Sequence, residues 1–307
     1  MKIFVAGATG VIGRRVVPSL VRAGHDVTAV SRGREKSVTL QLQGARPAEV
    51  DLFAPDELGR SVAGHDVVIN LATAIPPATR ALLPGAWRQT ARIRSIASPN
   101  LIRIAAETGV TRVIQEAFAG IYEDRGEDWI DEQSPVRPAR YNRAVMDAER
   151  AVEAFAQRRG VGIVLRFAFF YGEDSDFLQQ TIQAVKQGWA PALGSPEGFI
   201  SSVSHDDAAS AVVEALTVDS GLYNVVDDEP VAKREFYTSL AEALGVGPPR
   251  FPPRFVARLL GSLGETLARS QRISNRMLRS ASRWSPTYRS VRDGWRILAA
   301  HAAPRST

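Results

Sequence analysis

Residues 2–13 read KIFVAGATGVIG. The run KIFVA has the apolar, strand-favouring character of a buried strand. The glycines Gly7, Gly10 and Gly13 follow it at G-x-x-G-x-x-G spacing and open a helical stretch, VIGRRVVPSLVRAG. Gly7 allows a tight turn, Gly10 lets backbone approach a pyrophosphate, and Gly13 lets the helix pack closely on the sheet. The helix start then offers free N–H groups and a positive dipole end to phosphate. A glycine pattern alone is a weak signal. Placed between a strand and a helix at the head of a βαβ unit, it predicts a dinucleotide site built on Gly7, Thr9, Gly10, Val11, Ile12 and Gly13.

Outward from this turn, β-rich runs alternate with helical ones. HDVTAVS, DVVINLA, TRVIQEA and VGIVLRF are near-continuous apolar strands, as expected for parallel strands covered on both faces. A helix is expected around residues 87–108, and a long amphipathic one from about Tyr141 to Arg159. The fold class is therefore α/β, a Rossmann-type doubly wound parallel sheet. The second half differs. Residues 173–199 read as a helix followed by a glycine- and proline-rich loop, SGLYNVVDD as one more strand, and the chain from Val231 as mostly helical. No internal repeat is visible.

With 307 residues, 45% hydrophobic and 23% charged, the chain is an ordinary globular one, not a disordered or fibrous one. Cysteine is absent, which excludes disulfides, thiolate metal sites and cysteine nucleophiles. His25, His65, His205 and His301 are scattered without ligand spacing, so no metal site is expected. The N-terminal apolar run is too short for a signal peptide and no stretch is long enough to span a bilayer, so the expected location is cytoplasmic. The net charge is +5, and all but Lys2, Lys36, Lys186 and Lys233 of the basic residues are arginine. Residues 250–296 are rich in arginine. They read as a solvated helical face, or as a docking surface for an acidic carrier protein. No nucleic-acid-binding or membrane-binding pattern is seen.

The end of the second strand selects the cofactor. A carboxylate there would accept from a ribose 2′-OH. This chain has Ser31 and Arg32, with Arg34 and Lys36 behind them, which suits a 2′-phosphate. NADP is expected in preference to NAD.

Taken together, these segments resemble the extended short-chain dehydrogenase/reductases, the NAD(P)-dependent epimerase/dehydratase group. Besides GATGVIG, Asp51-Leu52 is similar to the family's adenine-contacting pair. Asn70-Leu71-Ala72-Thr73 is similar to the strand-four segment lining the cofactor, which implies contacts from Leu71, Ala72 and Thr73. RFAFFYG (166–172), Ser204-His205-Asp206-Asp207 and Trp284-Ser285-Pro286 with Tyr288 resemble further family stretches. The resemblance implies a dinucleotide-binding domain over residues 1–171, with about 200–228 returning to it. It also implies a smaller, mostly helical substrate lobe from 172–199 and 229–307. Monomer and homodimer both fit it, the dimer through a four-helix bundle.

The family's Ser/Thr and Tyr-x-x-x-Lys do not carry over whole. The matching tyrosine is Tyr141, but Val145 stands four residues on where lysine is expected. Phe118, beside Ala117, stands at the hydroxyl position, and Thr90 stands for the family's asparagine. Without the lysine, Tyr141 should keep a pKa of about 10 or above, able to donate a proton but a poor base. Glu116, near the C-terminal end of an interior strand, is a second acid–base candidate. Otherwise it is a structural carboxylate bonded to backbone or to an arginine. Three readings follow. The first is an NADP-dependent oxidoreductase or epimerase acting on a small organic carbonyl or alcohol through an altered site. The second is a non-redox isomerase, cyclase or dehydratase of natural-product biosynthesis using Glu116 or Tyr141. The third is a catalytically inactive NADP-sensing protein.

Overall fold

The computed structural model describes residues 1–77, 80–158, 160–172 and 176–302. Seven parallel strands form the central sheet: β1 (Lys2–Ala6), β2 (Asp26–Val30), β3 (Arg46–Ala48), β4 (Val67–Asn70), β5 (Arg112–Phe118), β6 (Val161–Phe167) and β7 (Gly221–Val225). Their spatial order is β7-β6-β5-β4-β1-β2-β3. The chain therefore reverses its direction of winding between β1 and β4, and the crevice at that switch point is where open α/β sheets bind ligands.

Strand alternation sends the two halves of each apolar run to opposite sides. Ile3 and Val5 pack with Val16, Val17 and Leu20 on one face. Phe4 and Ala6 pack with Leu58, Leu101 and Val152 on the other. Both sets are buried, which is why the strands read as unbroken hydrophobic stretches. A third cluster joins Tyr171, Val185, Phe236, Tyr237, Leu240 and Trp295, drawn from the segments after the sixth and seventh strands. Among the described residues, no helix is long and apolar enough to cross a membrane.

The helix expected over residues 87–108 is continuous but changes pitch. It runs as Arg88–Arg92, a π-turn at Ile93–Ala97 and then Ser98–Glu107. The long helix begins later than expected and spans Val145–Ala156. Residues 141–144 form turns closed by i→i+3 hydrogen bonds, among them Val145 N–H to Asn142 O at 3.0 Å. Tyr141 and Val145 therefore do not share a helical face as i+4 spacing would require. The end expected at Arg159 lies outside the described residues.

Two polar devices tie the layers together. Ser204 caps the helix His205–Glu214 by accepting from Asp207 N–H at 3.0 Å. The Asp207 carboxylate in turn accepts from Thr287 N–H at 2.7 Å, and its carbonyl from Trp284 Nε1 at 3.1 Å. The Trp284–Tyr288 stretch is thus anchored to a helix start. The second device is the buried pair of Arg166 with Glu149, 2.8 and 2.7 Å apart across two parallel bonds. Arg166 also lies 4.8 Å over the Tyr122 ring, and Tyr122 Oη donates to Asn224 Oδ1 at 2.8 Å.

Removing one member of such a pair leaves a buried charge unmatched. Glu149→Ala is expected to destabilise the fold by about 3–5 kcal/mol, read from urea unfolding midpoints at unchanged slope.

Candidate functional site

The turn after β1 has one closed side and one open side. Gly7 has φ +77°, and a Cβ there would lie 2.4 Å from the Leu71 carbonyl carbon at the end of β4. A Cβ on Gly13 would lie 2.2 Å from Gly7 O. These two glycines are demanded by the fold itself. Gly10 is different: its Cβ would meet only Gly7 O, at 3.3 Å, and it is exposed together with Val11. Ala8, Ile12 and Gly13 are buried beneath. The helix Gly13–Arg22 has no side-chain cap and no acidic residue in its first turn. The Arg14 and Arg15 N–H groups donate to Gly10 O and Ile12 O at 3.0 Å, so the helix offers its dipole end and the exposed backbone at Gly10 and Val11, an arrangement that fits a pyrophosphate.

At the end of β2, Ser31 is buried and its hydroxyl meets that of Ser37 at 2.7 Å. Arg32 is exposed, and Gly33, at φ +93°, starts the helix Arg34–Leu42. Asp51 is exposed at the next strand end, where its carboxylate accepts from Phe53 N–H at 3.0 Å, while Leu52 is half-buried. Beyond β4, Leu71 N–H donates to Ala6 O at 2.9 Å. Ala72 N–H donates to Asn70 Oδ1 at 3.2 Å, and Thr73 follows half-buried. Gln115, unusual for an interior strand, is explained here. Asn70 and Gln115 are register partners, and Asn70 Nδ2 donates to Gln115 Oε1 at 2.8 Å and to Ser98 Oγ at 2.9 Å. This buried network holds the turn after β4 where Gly7 meets it.

Glu116 is bound by an arginine. The Nε and Nη2 of Arg94 donate to its two oxygens at 3.1 and 3.0 Å, with both side chains buried. The π-turn at Ile93–Ala97 carries Arg94 to this position. π-turns are often found at functional sites.

Tyr141 packs against Trp87 with ring centroids 4.5 Å apart. Burial pushes its phenol above the usual range. The neighbouring side chains of Thr266 and Asn142 and the fields of Arg269 and Arg94 oppose that shift. Asn142 is 3% exposed, and both polar atoms of its amide lack a partner. A buried, unpaired amide beside a phenol is a position where a bound group would be welcome. Phe118, at the position of the missing hydroxyl, packs edge-on against Phe169. The Thr90 hydroxyl donates to Ala74 O and so is not directed at Tyr141.

Arg94, Asn142, Thr266 and Arg269 were not among the residues expected at the site. Arg269 follows the helix Gly261–Ala268 and donates to Tyr122 O at 3.0 Å and Gly120 O at 3.3 Å. Gln271 Nε2 adds a 2.6 Å bond to Tyr122 O. This segment closes the site from the C-terminal side. Several other arginines of residues 250–296 are also engaged. Arg279 pairs with Asp228, Arg289 with Glu229, and Arg292 with Glu229 and Glu235. Arg272 stacks on Trp129 at 4.2 Å.

Residues 3–225 match the model of the NAD dependent epimerase/dehydratase family. The chain is similar to a 3-diazoavenalumate denitrifying reductase from a Streptomyces species, 32% identical over 96% of this chain and 99% of the relative. It is also similar to a 4-hydroxy-2-methyl-3-oxo-4-farnesyl-3,4-dihydroquinoline-1-oxide ketoreductase of Stigmatella aurantiaca, 27% identical over 88% and 81% of the two chains. Among solved structures, the human epimerase family protein SDR39U1 with NADPH superposes with TM-score 0.79 at 20% identity, over 98% of this chain and 99% of that one. At that identity the likeness is one of fold.

The two kinds of glycine separate by experiment. Gly7→Ala is expected to cost about 3 kcal/mol of stability, from positive φ and backbone overlap together. Gly10→Ala is expected to stay within about 1 kcal/mol of the wild type. Thermal and urea unfolding of the two variants read the difference.

Proposed function

Because the chain belongs to the NAD dependent epimerase/dehydratase family, we propose that it is an NADP(H)-dependent reductase of a small organic substrate, with Tyr141 as proton donor. The observation that carries this reading is the open, uncapped turn at Gly10, which the fold's own packing does not fill. The residues that would hold the dinucleotide are the turn itself for the pyrophosphate, Asp51 and Leu52 for the adenine, and Leu71, Ala72 and Thr73 beyond β4. When bound, the nicotinamide supplies the hydride.

The preference for NADP rests on the end of β2. Arg32 is exposed and makes no ion pair among the described residues, so its guanidinium is free to meet a 2′-phosphate. Ser31 supports that corner from beneath through Ser37. Lys36 and Arg34 add positive charge within the same turn of helix.

Tyr141, like any phenol, carries its proton at neutral pH, and burial pushes its pKa further up. It therefore donates rather than accepts, which is the requirement of a reduction that ends on oxygen or carbon. Arg94, fixed by Glu116, and Arg269, fixed by Gly120 and Tyr122, place positive charge around the phenol that a lysine would otherwise bring. Glu116 in this arrangement positions Arg94. Residues 172–199 and 229–307 supply the substrate side, with Thr266 in contact with the phenol.

A second reading concerns the bond that is reduced. The Streptomyces relative is a denitrifying reductase. In such a reaction no carbonyl oxygen has to be polarised. Phe118, in place of a hydroxyl donor, favours that class over a simple ketone reduction.

Two measurements test the proposal. Calorimetric titration should show NADPH bound more tightly than NADH, and Arg32→Ala should weaken NADPH by about tenfold or more while leaving NADH nearly unchanged. Equal binding of both cofactors removes the NADP assignment, and no binding of either removes the dinucleotide reading. With a substrate in hand, Tyr141→Phe should lower kcat by about 10²–10⁴. The wild-type rate should show no loss from phenol ionisation until pH rises above about 10, since the group is active when protonated and its pKa is raised.

A further inference from the structure

Thr266 is near enough to the Tyr141 phenol to act on it, and it also lines a partly open cavity of about 60 Å³ between the strand ends of the sheet and the C-terminal helices. Much of the wall is hydrocarbon, including Phe169, Phe199, Leu193, Leu267 and Ile273. Among the described lining residues the charged ones are Lys233 and Arg269, both cations and both buried.

Neither cation is neutralised within the cavity. Lys233 Nζ donates to two neutral carbonyls, Leu193 O at 2.8 Å and Leu267 O at 2.9 Å, which leaves its third N–H uncommitted. Burial pushes this ammonium down to about 8, and the field of Asp124 only partly opposes that. Arg269 spends Nη1 on Gly120 O and Tyr122 O. Its Nη2 reaches Glu265 at 3.4 Å, a carboxylate that Arg137 also claims at 3.1 Å. The buried Nε has no partner. A buried ammonium held by neutral carbonyls, beside a guanidinium whose carboxylate is shared, is unfavourable unless a further anion joins them.

We propose that this cavity receives the carboxylate end of a small apolar organic acid, held between Lys233 and Arg269, with the reacting end of the same molecule lying across Thr266 at Tyr141. This assignment of substrate class rests on the reductase reading for the location of the reacting end, whereas the acid pocket stands on the cavity alone. The size supports it. One water needs about 10–15 Å³ by this measure, so the space takes a carboxylate with a few carbons. It is far too small for a nucleotide sugar, whose size calls for a pocket of several hundred Å³.

The test uses the whole chain and two probes of equal shape, propionate and propionamide, titrated calorimetrically. Propionate is expected to bind about tenfold or more tightly than propionamide, the gain of a charge-assisted contact over a neutral one. Lys233→Met should abolish that preference. Ala192→Leu, which fills the cavity and keeps both cations, should abolish propionate binding. Propionate binding no tighter than propionamide, including no detectable binding of either, overturns the proposal. So does a preference for propionate that survives in Lys233→Met. The wild-type comparison needs no variant and is unaffected if a substitution fails to fold. NADPH titrated into the same sample reads the cofactor separately. A sample that prefers propionate but ignores NADPH refutes the reductase reading and leaves the acid pocket standing.

Discussion

The backbone of Gly7 lies against the Leu71–Ala72 peptide more closely than any side chain would permit. That approach joins the turn after β1 to the end of β4 at the point where the winding of the sheet reverses. Much of the crevice depends on it. The helix Gly13–Arg22 can point its uncapped start toward the crevice because Gly13 also packs without a side chain against the same turn. Leu71 to Thr73 can line the opposite wall because Asn70 fixes the Ala72 N–H and is itself fixed by Gln115 and Ser98. The proposed dinucleotide site is thus a consequence of close backbone packing together with a buried polar network, and few of its surfaces are set by large side chains.

Around that frame, buried arginines set the electrostatics. Arg166 is matched by Glu149 and holds the Tyr122 region in place, while Arg94 is matched by Glu116. Arg269 is held largely by carbonyls and so keeps more of its charge for its surroundings. The distinction matters chemically. A matched pair serves mainly as structure and keeps a reduced field, whereas a cation held by neutral groups retains more of its field to act on a phenol or on an anion. Tyr141 lies in the fields of Arg94 and Arg269. This gives a physical account of how a site can lose the lysine four residues after its tyrosine and still surround that tyrosine with positive charge.

Much of this was legible in the sequence. The strands KIFVA, DVTAV, VVIN, RVIQEAF and VGIVLRF emerge from their apolar runs because each is buried on both faces. The glycine spacing identifies the turn because backbone geometry leaves no other residue at Gly7 or Gly13. What was illegible depends on contacts distant in sequence. Arg94 and Glu116 are 22 residues apart and meet only because a π-turn breaks the 3.6-residue period. Arg269 reaches Tyr122 across 147 residues and sits in a segment where many arginines look alike. The start of the long helix was misplaced for a local reason. Residues 141–144 run directly into the apolar stripe that starts at Ala144 but close tighter turns, with the Tyr141 ring seated on Trp87. The unpaired amide of Asn142 is likewise a tertiary feature, for which asparagine in a sequence gives no sign.

The central claim is that the uncapped turn at Gly10 is where the chain meets a dinucleotide phosphate. Backbone hydrogen exchange with and without NADPH tests it most directly, because the amides at issue are the ones that would change partners. The account predicts slowed exchange in the segment covering Thr9 to Arg14 and in that covering Leu71 to Thr73, with the strands of the sheet unchanged. Exchange in the glycine turn that is the same with and without saturating NADPH would contradict it.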